Sequence, residues 1–366
     1  MIFYYADKYV VKKFRGSKCS TYNNVNIVLG GITRLTESGL SMVTWKFLGE
    51  KIPSNEQSWL IEFDKYKQFP EFQILNRDIT IEEFKRIWSM EYVHRMWGRL
   101  FGMIFIVPAS IFWLNNMLEP LIRRRIIVLG SLILCQGLMG WYMVKSGLVN
   151  KFDGPSDVPR VSQYRLAAHL SLAFLIYSGF FYTALDYLRP VHGSIPSYSL
   201  LVSSSHLKQL KKLKFACSLI AGLTFLTAVS GAFVAGLDAG LIYNTFPKMC
   251  DKWIPDDIFY MTPALKNFTE NPATAQFDHR LLGLSTLAVS TYIGIMSRTC
   301  QLSTRAFIAG ATVFAMAYLQ AAMGILTLLY HVPMKIAAAH QSGSLLLMTT
   351  IMWFYHELRH LKKLPK

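Results

Sequence analysis

Apolar residues in this chain fall in long unbroken runs rather than in alternating or one-sided patterns. Uncharged or nearly uncharged stretches occupy residues 100–118, 126–144, 166–185, 215–237, 281–297, 306–330 and 336–355. Each is roughly the 17–25 residues that a helix needs to cross a bilayer. A signal peptide or a soluble core does not produce seven such runs. The pattern predicts an all-α polytopic membrane protein.

Composition agrees: 52% of the 366 residues are hydrophobic and only 16% are charged, against about 25% charged in a soluble domain. The net charge of +16 raises the question of nucleic acid, but its distribution argues against that partner. The basic residues gather in alternate loops: Arg123–Arg125, the stretch "HLKQLKKLK" at 206–214, Arg298 with Arg305, and the tail "RHLKKLPK". The intervening loops, 144–162 and 238–275, are near neutral or acidic. This is the positive-inside pattern, and it places the basic loops and the C-terminus on the cytoplasmic or matrix side. The five cysteines form no CxxC pair; Cys135, Cys217 and Cys300 read as packing residues, and neither a disulfide framework nor a zinc site is supported.

Internal repetition organises the chain further. "HRMWG" (94–98) matches "HRLLG" (279–283), "QGLMG" (136–140) matches "QAAMG" (320–324), and "AAHLS" (167–171) matches "AAHQS" (338–342). The three matches keep their order on successive spans. They imply two pseudo-equivalent four-helix bundles in parallel orientation, eight spans in all, over about 25–190 and 215–366 with a basic linker at 191–214. Ahead of "GGITRLTESGLSM" (30–42), aligned with "AGLDAGLIYNTF" (235–246), only "VNIVLGGI" is apolar. The first span therefore reads as degenerate, which removes one wall of the first bundle. Residues 1–24 form an atypical basic and aromatic segment unlike a transit peptide.

Four of the nine histidines, His94, His169, His279 and His340, recur at repeat-related positions near the heads of alternate helices. Two histidines on two helices of one bundle suit bis-imidazole ligation of a haem iron. Gly98 and Gly283, one turn beyond His94 and His279, leave room for a flat macrocycle. A helix-capping or hydrogen-bonded structural role is the plainer alternative for any single histidine, and zinc would want more ligands per half. His192, His206, His356 and His360 read as solvated surface residues, and His331 as interfacial. Arg95, Arg99 and Arg280 either pair with haem propionates or anchor at lipid headgroups.

The halves differ at one informative position. Glu91 lies three residues before His94, whereas Gln276 lies three before His279. At that spacing each shares a helix face with its histidine. A carboxylate beside a porphyrin edge can accept a proton or stabilise developing positive charge; the plainer reading is a helix-head acid favoured by the dipole. The first half thus reads as the reactive site and the second as a fixed b-type haem that passes electrons.

The segments "GGITRLTESGLSM", "MEYVHRMWGRLFG", "QGLMGWYMVKSGL", "AGLDAGLIYNTFPKM", "QFDHRLLG" and "AAAHQSGS" resemble the heme A synthase family, from about Gly30 to the end, and its mitochondrial branch in particular. The resemblance implies an inner-membrane enzyme that oxidises the C8 methyl of heme O to a formyl group, making heme A for cytochrome c oxidase. It implies that Glu91 is the catalytic carboxylate, that His94 and His169 bracket the substrate heme, and that His279 and His340 ligate heme b. A farnesyltransferase that supplies heme O, an electron acceptor, membrane lipid and a homo-oligomer are the partners it leaves room for; nucleic acid is not among them. Residues 35–87 hold no cysteine, so the outer-loop cysteine pair of some bacterial relatives does not carry over. The rival readings are a non-catalytic di-haem b-type electron carrier and a transporter or assembly factor whose histidines relay protons.

Overall fold

A computed structural model describes residues 2–149, 159–188 and 204–360, with side chains from Cys19 to Arg359. Ten α-helices follow one another: α1 (Ile2–Leu35), α2 (Glu56–Tyr66), α3 (Ile81–Leu114), α4 (Pro120–Gly147), α5 (Gln163–Leu188), α6 (Ser204–Gly236), a short α7 (Asn267–Glu270), α8 (Pro272–Thr299), α9 (Thr304–Leu329) and α10 (Met334–His360). Among the described residues α3, α4, α5, α6, α8 and α9 are long and apolar enough to cross a membrane. The chain is a multi-pass helical membrane protein. Large apolar side chains face outward along these helices, as Ile127, Val128, Leu134 and Leu138 do on α4, because lipid tails solvate them as well as a protein core would.

The chain divides into two compact units, one of Tyr22–Ile176 with Ala235–Leu237, the other of Met1–Thr21, Tyr177–Val234 and Asp238–Lys366. In the first, α1 supplies the wall that sequence hydropathy leaves out. Helix α1 runs unbroken through "VNIVLGGI", and it is pinned to its neighbours by polar contacts. Asn23 Nδ2 donates to the carbonyl of Ala173 at 3.0 Å, and the Trp97 indole donates to the carbonyl of Tyr22 at 3.0 Å. A run too polar to read as a span is thus a helix held by hydrogen bonds rather than by apolar surface.

Helix α3 begins at Ile81, nineteen residues ahead of its apolar run. Thr80 starts it through a capping box with Glu83, and 34 residues at 1.5 Å each give about 51 Å, well beyond a hydrocarbon core of about 30 Å. The surplus forms part of a small soluble-type core. Met42, Phe63, Tyr66, Phe84 and Trp88 are buried there together, with Tyr66 and Phe84 stacked at 5.2 Å.

The second unit has a core of helix-spaced side chains from α6, α8, α9 and α10, among them Leu213, Cys217, Ile220, Ile293, Val313 and Ile351. Three sequence expectations change here. The basic stretch 206–214 is the opening of α6 rather than a loop, because Leu210 and Leu213 add to its buried stripe. His356 is not solvated: it is 1% exposed, with its Nε2 3.6 Å from Asp186. Cys135, expected to pack, is exposed on α4, whereas Cys217 and Cys300 are buried. His192 lies outside the described residues.

Candidate functional site

Each of the four repeat-related histidines projects from its helix toward a glycine on a neighbour. A Cβ at Gly30 of α1 would lie 2.9 Å from His94 Cε1, and one at Gly231 of α6 would lie 3.1 Å from His279 Cε1. The same holds for the second pair: Gly140 of α4 is that close to His169 at 3.3 Å, and Gly324 of α9 to His340 at 2.7 Å. Glycine is needed at these positions because the backbone passes where any larger residue would meet the ring. Gly98 and Gly283 border open space, with only an ordinary 3.8 Å contact to Asn26 at Gly98.

The ring centres of His279 and His340 are 6.3 Å apart, with planes at 88°. Two imidazoles on opposite sides of a metal ion at bond lengths of about 2 Å put their ring centres about 6 Å apart, a separation that this pair matches. Tautomer chemistry agrees. Ser230 donates its one hydroxyl proton to the Thr227 carbonyl at 2.8 Å, so at 2.8 Å from His279 Nδ1 its oxygen accepts. Nδ1 therefore carries the proton and Nε2 presents its lone pair, as a ligand nitrogen requires. Among the described residues no three His, Cys, Asp or Glu side chains gather as a metal cluster. In the first unit, Gln136 Nε2 stands 3.3 Å from His169 Nε2, and donation from the amide leaves that nitrogen as the acceptor. The counterpart Gln320 donates instead to the His340 carbonyl at 2.7 Å.

The two helix heads are built on one frame with opposite hydrogen-bond polarity. Glu91 is 2% exposed; its Oε2 accepts from the Ser41 hydroxyl and the Met42 amide, both at 2.7 Å. Its Oε1 accepts from Arg95 Nη2 at 2.5 Å. Arg95 also donates to the carbonyls of Met42 and Thr44, each at 2.8 Å. In the second unit Gln276 Nε2 donates to the carbonyls of Ala239 at 2.9 Å and Tyr243 at 3.2 Å. Arg280 Nη2 binds the same Tyr243 carbonyl at 2.9 Å and the Gln276 amide oxygen at 3.2 Å.

Met42 thus corresponds to Tyr243. The left-handed residues Glu37 (φ 52) and Asp238 (φ 50) correspond as well, as do Gly30 and Gly231, all 201 residues apart. This register is one helical turn away from the one expected between residues 30–42 and 235–246. Sequence reasoning therefore missed Gly30, Gly231 and Ser41. The shared "GL" at 39–40 and 240–241 was the signal that would have set the register.

Arg99 donates to the carbonyls of Phe47 at 3.0 Å and Lys46 at 2.7 Å, and the Trp45 ring lies 4.9 Å and 5.1 Å from the guanidiniums of Arg95 and Arg99. All three arginines singled out in the sequence therefore bind loop carbonyls. The buried Nε of Arg95 and of Arg280 has no hydrogen-bond partner among the described residues.

A multi-pass helical protein with two repeat-related pairs of inward histidines, one pair accompanied by a buried carboxylate, is the class that fold and site define. The chain belongs to the cytochrome oxidase assembly protein family COX15-CtaA, which it matches over residues 18–352. It is 51% identical over 338 residues to heme A synthase COX15 of Homo sapiens, covering 92% of this chain and 80% of that one. To heme A synthase COX15 of Arabidopsis thaliana it is 47% identical over 349 residues, 93% of this chain and 74% of the relative. To the heme A synthase of the bacterium Nitrosospira multiformis it is 43% identical over 337 residues, 91% and 89%.

Proposed function

We infer that this protein is a heme A synthase, an oxidoreductase that converts the C8 methyl of heme O to the formyl group of heme A by successive water-derived oxygenations. The observation that carries the reading is Glu91 standing where Gln276 stands in an otherwise equivalent frame. One half thereby gains a group that can take a proton, and the other does not. The similarity to relatives named heme A synthase supports the same conclusion.

In this reading the first bundle, within 25–190, takes heme O as substrate between His94 and His169. Glu91 already accepts three hydrogen bonds of the roughly four a carboxylate can take, which leaves a place on Oε1 for a proton from the reacting water. Arg95 fixes that carboxylate and, with Arg99, holds the outer loop over it. The free Nε donors of Arg95 and Arg280 suit propionates.

His279 and His340 in the 215–366 bundle would hold heme b, which would supply one-electron transfer when bound. One of its two ligands is anchored: Ser230 fixes the ring of His279, whereas Leu29 takes that place in the first unit and Nδ1 of His94, like that of His169 and of His340, is buried with no partner among the described residues. A ring fixed through its second nitrogen holds metal more tightly. The difference supports a resident haem in one half and an exchangeable one in the other.

The positive-inside pattern and the mitochondrial branch support an inner-membrane location with the C-terminus in the matrix. A farnesyltransferase making heme O would stand upstream. Pigment extraction from the purified protein tests the function. Heme O or heme A beside heme B is the expected result. Heme B alone would favour a di-haem carrier, and no haem in any redox state would overturn both.

A further inference from the structure

One amide of the first unit lies against α3 beside His94 and has no task in the fold. Asn26 precedes Gly30 by one turn on α1, and Gly98 follows His94 by one turn on α3, so the two pairs form successive levels of one helix contact. At the first level the His94 ring meets Gly30, 2.9 Å from a Cβ built there. At the second, Oδ1 and Nδ2 of Asn26 both lie 3.8 Å from the Cβ position of Gly98. The amide therefore stands beside the glycine that leaves room for a macrocycle. Its Oδ1 is buried and has no hydrogen-bond partner among the described residues. An unpaired buried amide oxygen is costly, and α1 is already tied to α5 one turn earlier, where Asn23 Nδ2 donates to the Ala173 carbonyl at 3.0 Å. The repeat shows the alternative. Thr227, 201 residues on, donates to its own Leu223 carbonyl at 2.7 Å, and its oxygen is 3.3 Å from the Thr286 hydroxyl. The buried amide oxygens of Gln136 and Gln320 are unpartnered in both units, so they do not tell the halves apart, whereas Asn26 does.

We propose that Asn26 is a specificity-determining residue of the heme O site, its amide oxygen accepting a hydrogen bond from the hydroxyl of the substrate's hydroxyethylfarnesyl side chain. The inference rests on the first bundle taking heme O. That substrate differs from heme B where a vinyl group has become a farnesylated carbon chain bearing a hydroxyl, on the edge of the macrocycle away from the propionates. The propionates suit Arg95 at the head of α3, so the hydroxyl-bearing edge points along α3 past His94, to the level of Gly98 and Asn26. One turn is about 5.4 Å, comparable with the radius of a porphyrin. A vinyl group at this level leaves the Asn26 oxygen unpaired, and a hydroxyl satisfies it. A site built to bond a substrate hydroxyl rejects the analogue that lacks one. The second bundle, which takes heme b in this reading, needs no such acceptor, and Thr227 keeps its hydrogen bonds within its own unit.

Spectral titration of the full chain in lipid nanodiscs, with heme b already resident, tests it with two probes. One is heme O; the other is dehydrated heme O, which keeps the farnesyl tail but has lost the hydroxyl by elimination. The parent protein is expected to bind heme O about tenfold or more tightly than the dehydrated form. Asn26→Leu should bind the two alike, losing affinity for heme O and holding the dehydrated form at least as well as the parent does. Asn26→Thr, which installs the residue of the second unit, should lose the preference too. Equal affinity of the parent for the two probes overturns the proposal, and this arm needs no variant to fold. So does a full preference retained in Asn26→Leu with the heme b spectrum intact. Heme O bound and converted without preference over its dehydrated form overturns this inference alone. A first bundle that takes up neither probe overturns the synthase reading and this inference with it.

Discussion

Glu91 and Arg95 lie one turn apart on α3 and form an ion pair at 2.5 Å, with only 3% and 5% of their side chains exposed. Breaking a buried pair by removing one partner ordinarily costs several kcal/mol. Here the second half of the chain shows what the uncharged version looks like, since Gln276 and Arg280 occupy the same frame. Glu91→Gln is therefore expected to fold and to keep haem in both bundles, while heme A formation drops about a hundredfold or more, the usual worth of a placed acid or base. Haem content and heme O turnover of the purified variant check this; undiminished turnover would remove Glu91 from the chemistry.

The reverse exchange should behave differently. Gln276 donates to two carbonyls, and a carboxylate has no proton to give them. Gln276→Glu is expected to lose about 1–3 kcal/mol, seen as a lower thermal midpoint, and to gain no activity toward heme O.

The glycines facing the histidines make a graded series. Alanine at Gly324 would put its Cβ 2.7 Å from His340, whereas at Gly140 the distance to His169 is 3.3 Å. Overpacking costs roughly 1–3 kcal/mol, and here it falls on a ligand ring. Gly324→Ala is expected to lose most of the low-spin haem absorbance, with Gly140→Ala the mildest of the four. Equal haem content in all four variants would show that the rings do not hold haem against these walls.

Ser230→Ala should weaken haem retention about tenfold and shift the midpoint potential of the resident haem, measured by transfer to an apo-globin and by redox titration. Leu29→Ser is expected to slow haem loss from the first bundle.

Stability should carry a signature of Glu71. Its carboxyl is raised from an ordinary 4.5 to about 8 in the folded protein, so between those values the unfolded chain has lost a proton that the folded state retains. This contribution is complete below about pH 4.5 and disappears as pH rises to about 8. Thermal midpoints measured across this window should decline less steeply in Glu71→Gln than in the parent.

The membrane-helical class was legible because membrane helices declare themselves by length, and His94, His169, His279 and His340 drew notice because they sit in repeated motifs. What stayed hidden was whatever depends on polar contacts between segments far apart. Helix α1 is too polar to announce a span, yet Asn23 and Trp97 hold it in place. His356 sits in a basic tail and is buried all the same, because Asp186 of α5 lies beside it. Glu71 carries no sequence signal: only the folding of the loop between α1 and α3 buries it.

The reversed hydrogen bonds at the two helix heads also limit how the halves can be recombined. Each head and its turn form a matched key: α3 offers acceptors to the donors of residues 41–42, and α8 offers donors to the carbonyls of 239 and 243. A chimera exchanging α3 and α8 alone would set acceptor against acceptor, despite the similarity of "HRMWG" and "HRLLG". Evolution of one half from a copy of the other therefore had to change the helix and its loop together, and engineering of either bundle inherits the same linkage.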